Sequence, residues 1–302
     1  MVLSFVAFIY FRGIPKYEAK KVEFKAEITP ERIERGRKMV TMLCAGCHLD
    51  SKSYTLSGKQ MKDAPPDFGV VHSANITQHP ELGIGKWTDA EIAYLLRTGI
   101  KPDGQYLPPY MPKLLHTSDE DLKSIIAFLR SENGMVKATD RKAPKTEASF
   151  LVKFLCFIDP SWQPFEYPTK EIKTPDKKDK LVYGEYLVNN YDCFTCHSAD
   201  FTKLNVAEPR KSKGYLGGGN SMLNMEGKKM ITKNITSDKE TGIGNWTEAE
   251  FMTAMKTGKL PSGKSFQYPM VPYTLMDDEE LKALYAYLQS TPPITNKIAD
   301  NH

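Results

Sequence analysis

Two five-residue runs constrain this chain more than anything else in it: Cys44-Ala45-Gly46-Cys47-His48 and Cys193-Phe194-Thr195-Cys196-His197. Two residues between paired cysteines let both sulfurs reach one edge of a porphyrin, and the adjacent histidine sets its imidazole under the iron. C-x-x-C-H is therefore the signature of covalent c-type haem attachment. The cysteine spacing alone also serves zinc half-sites and thioredoxin-like redox pairs. Zinc needs four ligands in paired clusters, and the redox pair needs a βαβ surround. Neither context accompanies these runs. The expected cofactors are two haem c groups with their iron, attached through Cys44, Cys47, Cys193 and Cys196 and ligated by His48 and His197.

The 302 residues suffice for about two domains, and the motifs lie 149 positions apart (193 minus 44). Of the five cysteines only Cys156 is left over, which excludes a disulfide framework. Cys156 is followed by Phe157-Ile158-Asp159 and reads as a small buried apolar residue. With 41 basic and 37 acidic side chains the chain is mildly basic. No basic cluster is interleaved with aromatics in a binding module, so no nucleic-acid partner is expected.

Residues 1–15 begin with an apolar run, Met1 to Phe11, that is shorter than the roughly 20 residues needed to span a bilayer. It lacks the basic start and small-residue cleavage site of a signal peptide. Three readings stand: the end of a longer membrane anchor, a segment packed on a membrane-embedded partner, or a core strand. A charged tether over 16–30 favours the first two.

From residue 31 the pattern is helical, with Thr29 as cap and Pro30 at the first helical position, running through Ile33, Gly36, Val40 and Leu43 into the first motif. Leu181, Gly184, Leu187 and Val188 lead into the second. Glycine within a helix costs roughly 1 kcal/mol relative to alanine, so Gly36 and Gly184 predict close helix-to-helix approach. Downstream, Asn75-Ile76-Thr77 repeats as Asn234-Ile235-Thr236 at an offset of 159. The same offset relates Gly83-Ile84-Gly85 to Gly242-Ile243-Gly244, Trp87 to Trp246 and Met111 to Met270. The larger offset implies ten extra residues in the second copy, expected near Gly217-Gly218-Gly219. Thr88 to Glu91 and Thr247 to Glu250 are capping boxes, and Ser118 to Asp121 and Asp277 to Glu280 open a last helix similarly. Between the copies lies a stretch with Pro144, Pro160, Pro164, Pro168 and Pro175, whose aromatics around Trp162 are expected to cross from one copy to the other.

This order of helix, C-x-x-C-H, long loop, Met-bearing loop and terminal helix with Phe128 or Tyr287 resembles class I cytochrome c domains. The tandem is similar to membrane-anchored dihaem cytochromes c, and its Asn-Ile-Thr and Gly-Ile-Gly-x-Trp repeats resemble cytochrome subunits of bacterial alcohol and sugar-acid dehydrogenases. The resemblance implies an all-α chain of two tandem class I cytochrome c domains, 31–132 and 179–291. A Pro-rich, largely irregular linker, 133–178, would join them, and 292–302 would form a C-terminal tail. It also implies a periplasmic location at the bacterial inner membrane, anchored N-terminally, with redox proteins as donor and acceptor: a membrane respiratory complex or a dehydrogenase.

The repeat points to the second axial ligands, the alternative being that these methionines fill gaps in the core. Met111 and Met270 superpose and sit in Pro-stiffened loops, Pro109-Tyr110-Met111-Pro112 and Tyr268-Pro269-Met270-Val271-Pro272. Thioether ligation closes the sixth position and favours electron transfer. Met61, Met276 and the cluster Met222, Met225 and Met230 lack a counterpart, as do His72, His79 and His116. Trp87 and Trp246 resemble residues that donate an indole N–H to a haem propionate; packing on the porphyrin is an equal reading. The expected function is electron transfer without substrate chemistry, so not an enzyme. The alternatives are a dihaem peroxidase, which needs an open iron, and a structural subunit of a respiratory complex.

Overall fold

The computed structural model describes residues 2–299 and divides into two compact units, 1–173 and 174–302. Met1 of the apolar stretch and residues 300–302 of the expected tail lie outside the described residues.

In the first unit, α1 (Val2–Arg12) precedes α2 (Pro30–Leu43), α3 (Ala45–His48), β1 (Gly69–Val70), α4 (Asp89–Thr98), α5 (Asp119–Leu129), β2 (Glu147–Ala148) and α6 (Phe150–Ile158). Thr29 starts α2 as expected, its hydroxyl accepting from the Arg32 N–H with Pro30 in the first turn. Buried positions Gly36, Met39 and Val40 recur at spacings of three and four, so one stripe of α2 faces inward. That stripe lies on α5, whose Leu122, Ile125, Ile126 and Phe128 are wholly buried. Each such side chain contributes about 1.5–3 kcal/mol relative to remaining exposed. Gly36 permits the crossing: a Cβ there would overlap the Ser124 carbonyl and lie 2.8 Å from Phe128 Cβ.

The stretch expected as an irregular linker has structure of its own and packs on the first unit. β2 pairs antiparallel with β1, and α6 buries Val152 and Cys156 against Tyr94, Ile100 and Tyr106. Trp162 does not lead away; its ring meets Phe68 edge-on at 5.6 Å. Periodicity missed α6 because its nine residues are apolar on nearly every side.

The second unit carries α7 (Lys180–Asn190), α8 (Cys193–His197), β3 (Ser221–Leu223), β4 (Lys229–Ile231), α9 (Glu248–Thr257) and α10 (Asp278–Ser290). Here α7 crosses α10, and a Cβ on Gly184 would overlap the Ala283 carbonyl and stand 2.6 Å from Tyr287 Cβ. The extra residues lie earlier than expected. Gly58 and Gly218 both donate to the carbonyl of the motif histidine, and Ile76 and Ile235 donate to Leu56 and Leu216. Leu56 follows His48 by 8 residues, whereas Leu216 follows His197 by 19. The insertion therefore precedes the glycine run. The run itself opens the β3–β4 hairpin, which takes the place of a single bridge, Gln60 with His72, in the first unit.

Candidate haem sites

Each C-x-x-C-H run folds as one short helical turn. The His48 N–H donates to the Cys44 carbonyl at 2.8 Å and the Cys47 N–H to the same oxygen at 3.1 Å. Helical spacing of three and four places both sulfurs and the imidazole on one face. In the second unit α8 is entered through Asp192, in the left-handed region at φ 56°, a conformation aspartate tolerates. None of the four motif cysteines is in a disulfide. Burial pushes Cys44, Cys193 and Cys196 up to about 12 and Cys47 upward too, so they stay neutral.

The histidines carry the decisive geometry. His48 Nδ1 lies 2.8 Å from the Ala74 carbonyl oxygen, and His197 Nδ1 lies 2.7 Å from that of Lys233. A carbonyl only accepts, so Nδ1 holds the proton and Nε2 keeps its lone pair. Burial lowers both imidazole pKa values, which keeps the rings neutral. A neutral imidazole with Nδ1 anchored and Nε2 bare is the arrangement of an iron-ligating histidine. With two thiols on the same turn, the donor set of each unit fits covalent haem.

The acceptor carbonyls are fixed by the residues that follow them. Asn75 Oδ1 accepts from the Thr77 N–H at 2.9 Å and its hydroxyl at 2.7 Å, while Nδ2 donates to the carbonyls of Thr139 and Arg141. Asn234 repeats the turn with Thr236 at 3.0 and 2.8 Å and donates to Thr241 Oγ1 and the Ile294 carbonyl. The Asn-Ile-Thr repeat is thus a buried, satisfied turn that ties the histidine loop to the segment beyond each last helix. Gly-Ile-Gly has a steric reason: a Cβ on Gly83 or Gly242 would overlap the carbonyl of Thr77 or Thr236, and one on Gly85 or Gly244 that of Gln78 or Ser237. Trp87 and Trp246 are half-buried; Arg130 donates to the Trp87 carbonyl and the Tyr285 hydroxyl to that of Trp246.

Met111 and Met270 are both half-buried and occupy equivalent loops. The Met111 N–H closes a turn on Pro108 and that of Met270 a turn on Gln267. Leu114 and Tyr273 then donate to Leu96 and Met255, both at 2.7 Å, fastening the loops to α4 and α9. His79 has a structural role, accepting at Nδ1 from the N–H groups of Glu81 and Leu82.

Sequence reasoning missed Ala74 and Lys233, whose backbone carbonyls leave no mark on residue type beyond their place before Asn-Ile-Thr. It also missed Lys113, which is almost wholly buried. Burial pulls its ammonium down to about 7. Three carbonyl acceptors oppose this, since only the charged form has three N–H groups to give.

Asp50, next to the His48 turn, is held near pKa 2 by Arg141 and Ser53. A depressed folded value means the ion pair stabilises fully above about pH 3.9. That contribution is lost as pH falls towards 2. Arg141→Ala should therefore flatten this acid limb in urea unfolding followed between pH 5 and 2, while leaving the unfolding profile above it parallel to wild type.

Residues 181–292 match the protein family described as Cytochrome c. The chain carries a cytochrome c domain. This domain takes in α7, α8, His197, the Met270 loop and α10; its cofactor is covalently bound haem c with iron, and its work is electron transport. Most of the chain is similar to several cytochrome subunits. It is 29% identical over 278 residues to the alcohol dehydrogenase (quinone) cytochrome c subunit of Gluconobacter oxydans (strain 621H), covering 87% of this chain and 55% of that one. It is 28% identical over 281 residues to the fructose dehydrogenase cytochrome subunit of Gluconobacter japonicus, covering 86% and 52%. A diheme cytochrome c-type protein of Cereibacter sphaeroides is 27% identical over 263 residues, covering 83% and 82%. The chain spans about half the length of the alcohol and fructose dehydrogenase subunits.

Proposed function

We propose that this chain passes single electrons through two haem c groups, one in each unit, each ligated by His and Met, and serves a dehydrogenase as a non-catalytic electron-transfer subunit. The observation that carries this is the repetition, in the first unit, of the cytochrome c domain's histidine frame. His48 and His197 each give Nδ1–H to the carbonyl just before Asn-Ile-Thr. The first unit, with its own C-x-x-C-H turn and helix crossing, is read as a second cytochrome c domain in tandem.

Haem c supplies reversible one-electron chemistry at its iron. Cys44, Cys47, Cys193 and Cys196 would hold the two groups covalently, so that neither would be lost to solvent. Ala74 and Lys233 orient His48 and His197, and hydrogen bonding from Nδ1 raises the basicity of the opposite nitrogen. Met111 and Met270 would supply thioether ligands to the two irons, leaving no room for peroxide, which would separate this chain from a dihaem peroxidase. The dehydrogenase partner rests on the relatives' names, and a periplasmic site on the resemblance.

Membrane attachment rests on α1 and α6. No described helix is long and apolar enough to cross a membrane. Instead α1 packs beside α6 through Phe8 and Phe157, rings 5.7 Å apart. Phe5, Phe8, Phe11, Phe150, Leu151 and Ile158 remain exposed around that contact. Such a patch suits a bilayer interface. Flotation with phospholipid vesicles should carry the full chain but not Phe11→Ser/Leu151→Ser; equal flotation of both would remove this part of the reading.

The ligand assignment is tested in the ferric spectrum. Thioether-to-iron(III) coordination gives a weak red band, expected at two equivalents per chain. Met111→Ala and Met270→Ala should each remove about half, and together all of it. A band untouched by both substitutions, or peroxide turnover by the wild type, would overturn the assignment.

A further inference from the structure

We propose that Lys113 is a positioning residue for Met111, its sealed ammonium fastening the loop that carries this thioether. The inference rests on reading Met111 as an axial ligand. Lysine is almost never buried unless paired, and no carboxylate is among the acceptors of its ammonium. Its Nζ donates instead to the carbonyls of Leu107, Pro108 and Met111, at 2.7, 2.9 and 2.6 Å. All three belong to the loop entering and containing Met111, and together they use every N–H the ammonium has. The Tyr106 ring stands 5.4 Å from the charge.

The aliphatic stem is equally confined. A Cβ on Gly99, just after α4, would collide with Lys113 Cε, so the cation sits at the carbonyl end of that helix, where positive charge is favoured. Burying an ammonium is costly unless its hydrogen bonds are kept. The loop therefore cannot swing away from its observed path without stranding the charge. The loop's conformation and the lysine's solvation are one coupled quantity.

The second unit fills the same place differently. Pro272 occupies the position of Lys113 in the repeat, and a Cβ on Gly258 would meet Pro272 Cγ at 3.1 Å. One methionine loop is held by hydrogen bonds to a buried cation; the other has an exposed proline at that position and no ammonium. A single substitution at residue 113 thus addresses one haem and leaves the other as an internal reference.

The experiment uses the full holoprotein. Lys113→Leu keeps apolar bulk, removes the donors and brings in no iron ligand; Lys113→Gln keeps two N–H groups and preserves folding. For Lys113→Leu the ferric red band should fall to about half of wild type, with haem content unchanged and carbon monoxide binding to the ferrous protein at up to one haem per chain. For Lys113→Gln the unit 1 half of the band should melt several degrees below the helical signal, whereas in wild type the two melt together. Met111→Ala serves as the reference for the underlying reading. If Met111→Ala leaves the band whole, the ligand assignment fails. If Met111→Ala halves the band while Lys113→Leu keeps all of it and binds no carbon monoxide, or if band and helix melt together in Lys113→Gln, the positioning role is overturned.

Discussion

Gly184→Ala is expected to destabilise the second unit by about 2 kcal/mol, although the same exchange in an exposed helix would stabilise by roughly 1 kcal/mol. The reason is the α7–α10 crossing. A Cβ at 184 overlaps the Ala283 carbonyl, a backbone atom that cannot rotate away, and also stands 2.6 Å from Tyr287 Cβ. The helices must separate, and Tyr183, Leu187, Leu284 and Tyr287, all buried at this interface, lose contact with them. Overpacking of a tight core costs about 1–3 kcal/mol, more than propensity returns. Urea unfolding followed by circular dichroism measures it, with Gly134→Ala as control because nothing lies within 4 Å of a Cβ there. A stabilised Gly184→Ala would show that the crossing is looser than described.

Arg97→Met carries the second large effect, about 3 kcal/mol lost from the first unit. The Arg97 side chain is 0% exposed and its Asp119 partner 24%. The guanidinium donates to Asp119 at 2.8 Å and to the Leu114 carbonyl, joining α4, the exit of the Met111 loop and the start of α5. Removing it leaves a half-buried carboxylate and the Leu114 carbonyl without that donor. The repeat supplies the contrast: Lys256 pairs with Asp278 at the corresponding positions, with side chains 39% and 60% exposed. Exposed pairs contribute about 0–1 kcal/mol, so Lys256→Met should be nearly silent. Comparable losses from the two substitutions would contradict this ranking.

Much of this was legible in the sequence for physical reasons. Capping boxes at Thr88 and Thr247 are local, and both form with the reciprocal bonds that their spacing predicts. Gly36 and Gly184 announced a helix crossing because no other role repays an interior helical glycine twice. The Asn-Ile-Thr repeat marked a constraint, but its target was hidden: the carbonyls of Ala74 and Lys233 belong to any residue type. Glycine runs advertise loops and so draw the insertion to 217–219, whereas it falls within 199–215, a stretch that carries two 3-10 turns, Phe201–Lys203 and Pro209–Lys211. α6 was hidden within a Pro-rich stretch; it is placed by packing on Tyr94 and Tyr106, a long-range contact with no local pattern. Lys113 leaves no mark in the sequence because its acceptors are backbone atoms two to six residues earlier.

The central claim is that both units hold covalent haem. Intact-mass measurement of the denatured chain, matured with a c-type attachment system, tests it most directly because covalent groups survive denaturation. The account predicts the mass of the polypeptide plus two haems, falling to one in Cys44→Ser/Cys47→Ser and to one in Cys193→Ser/Cys196→Ser. A wild-type chain bearing a single haem would contradict it.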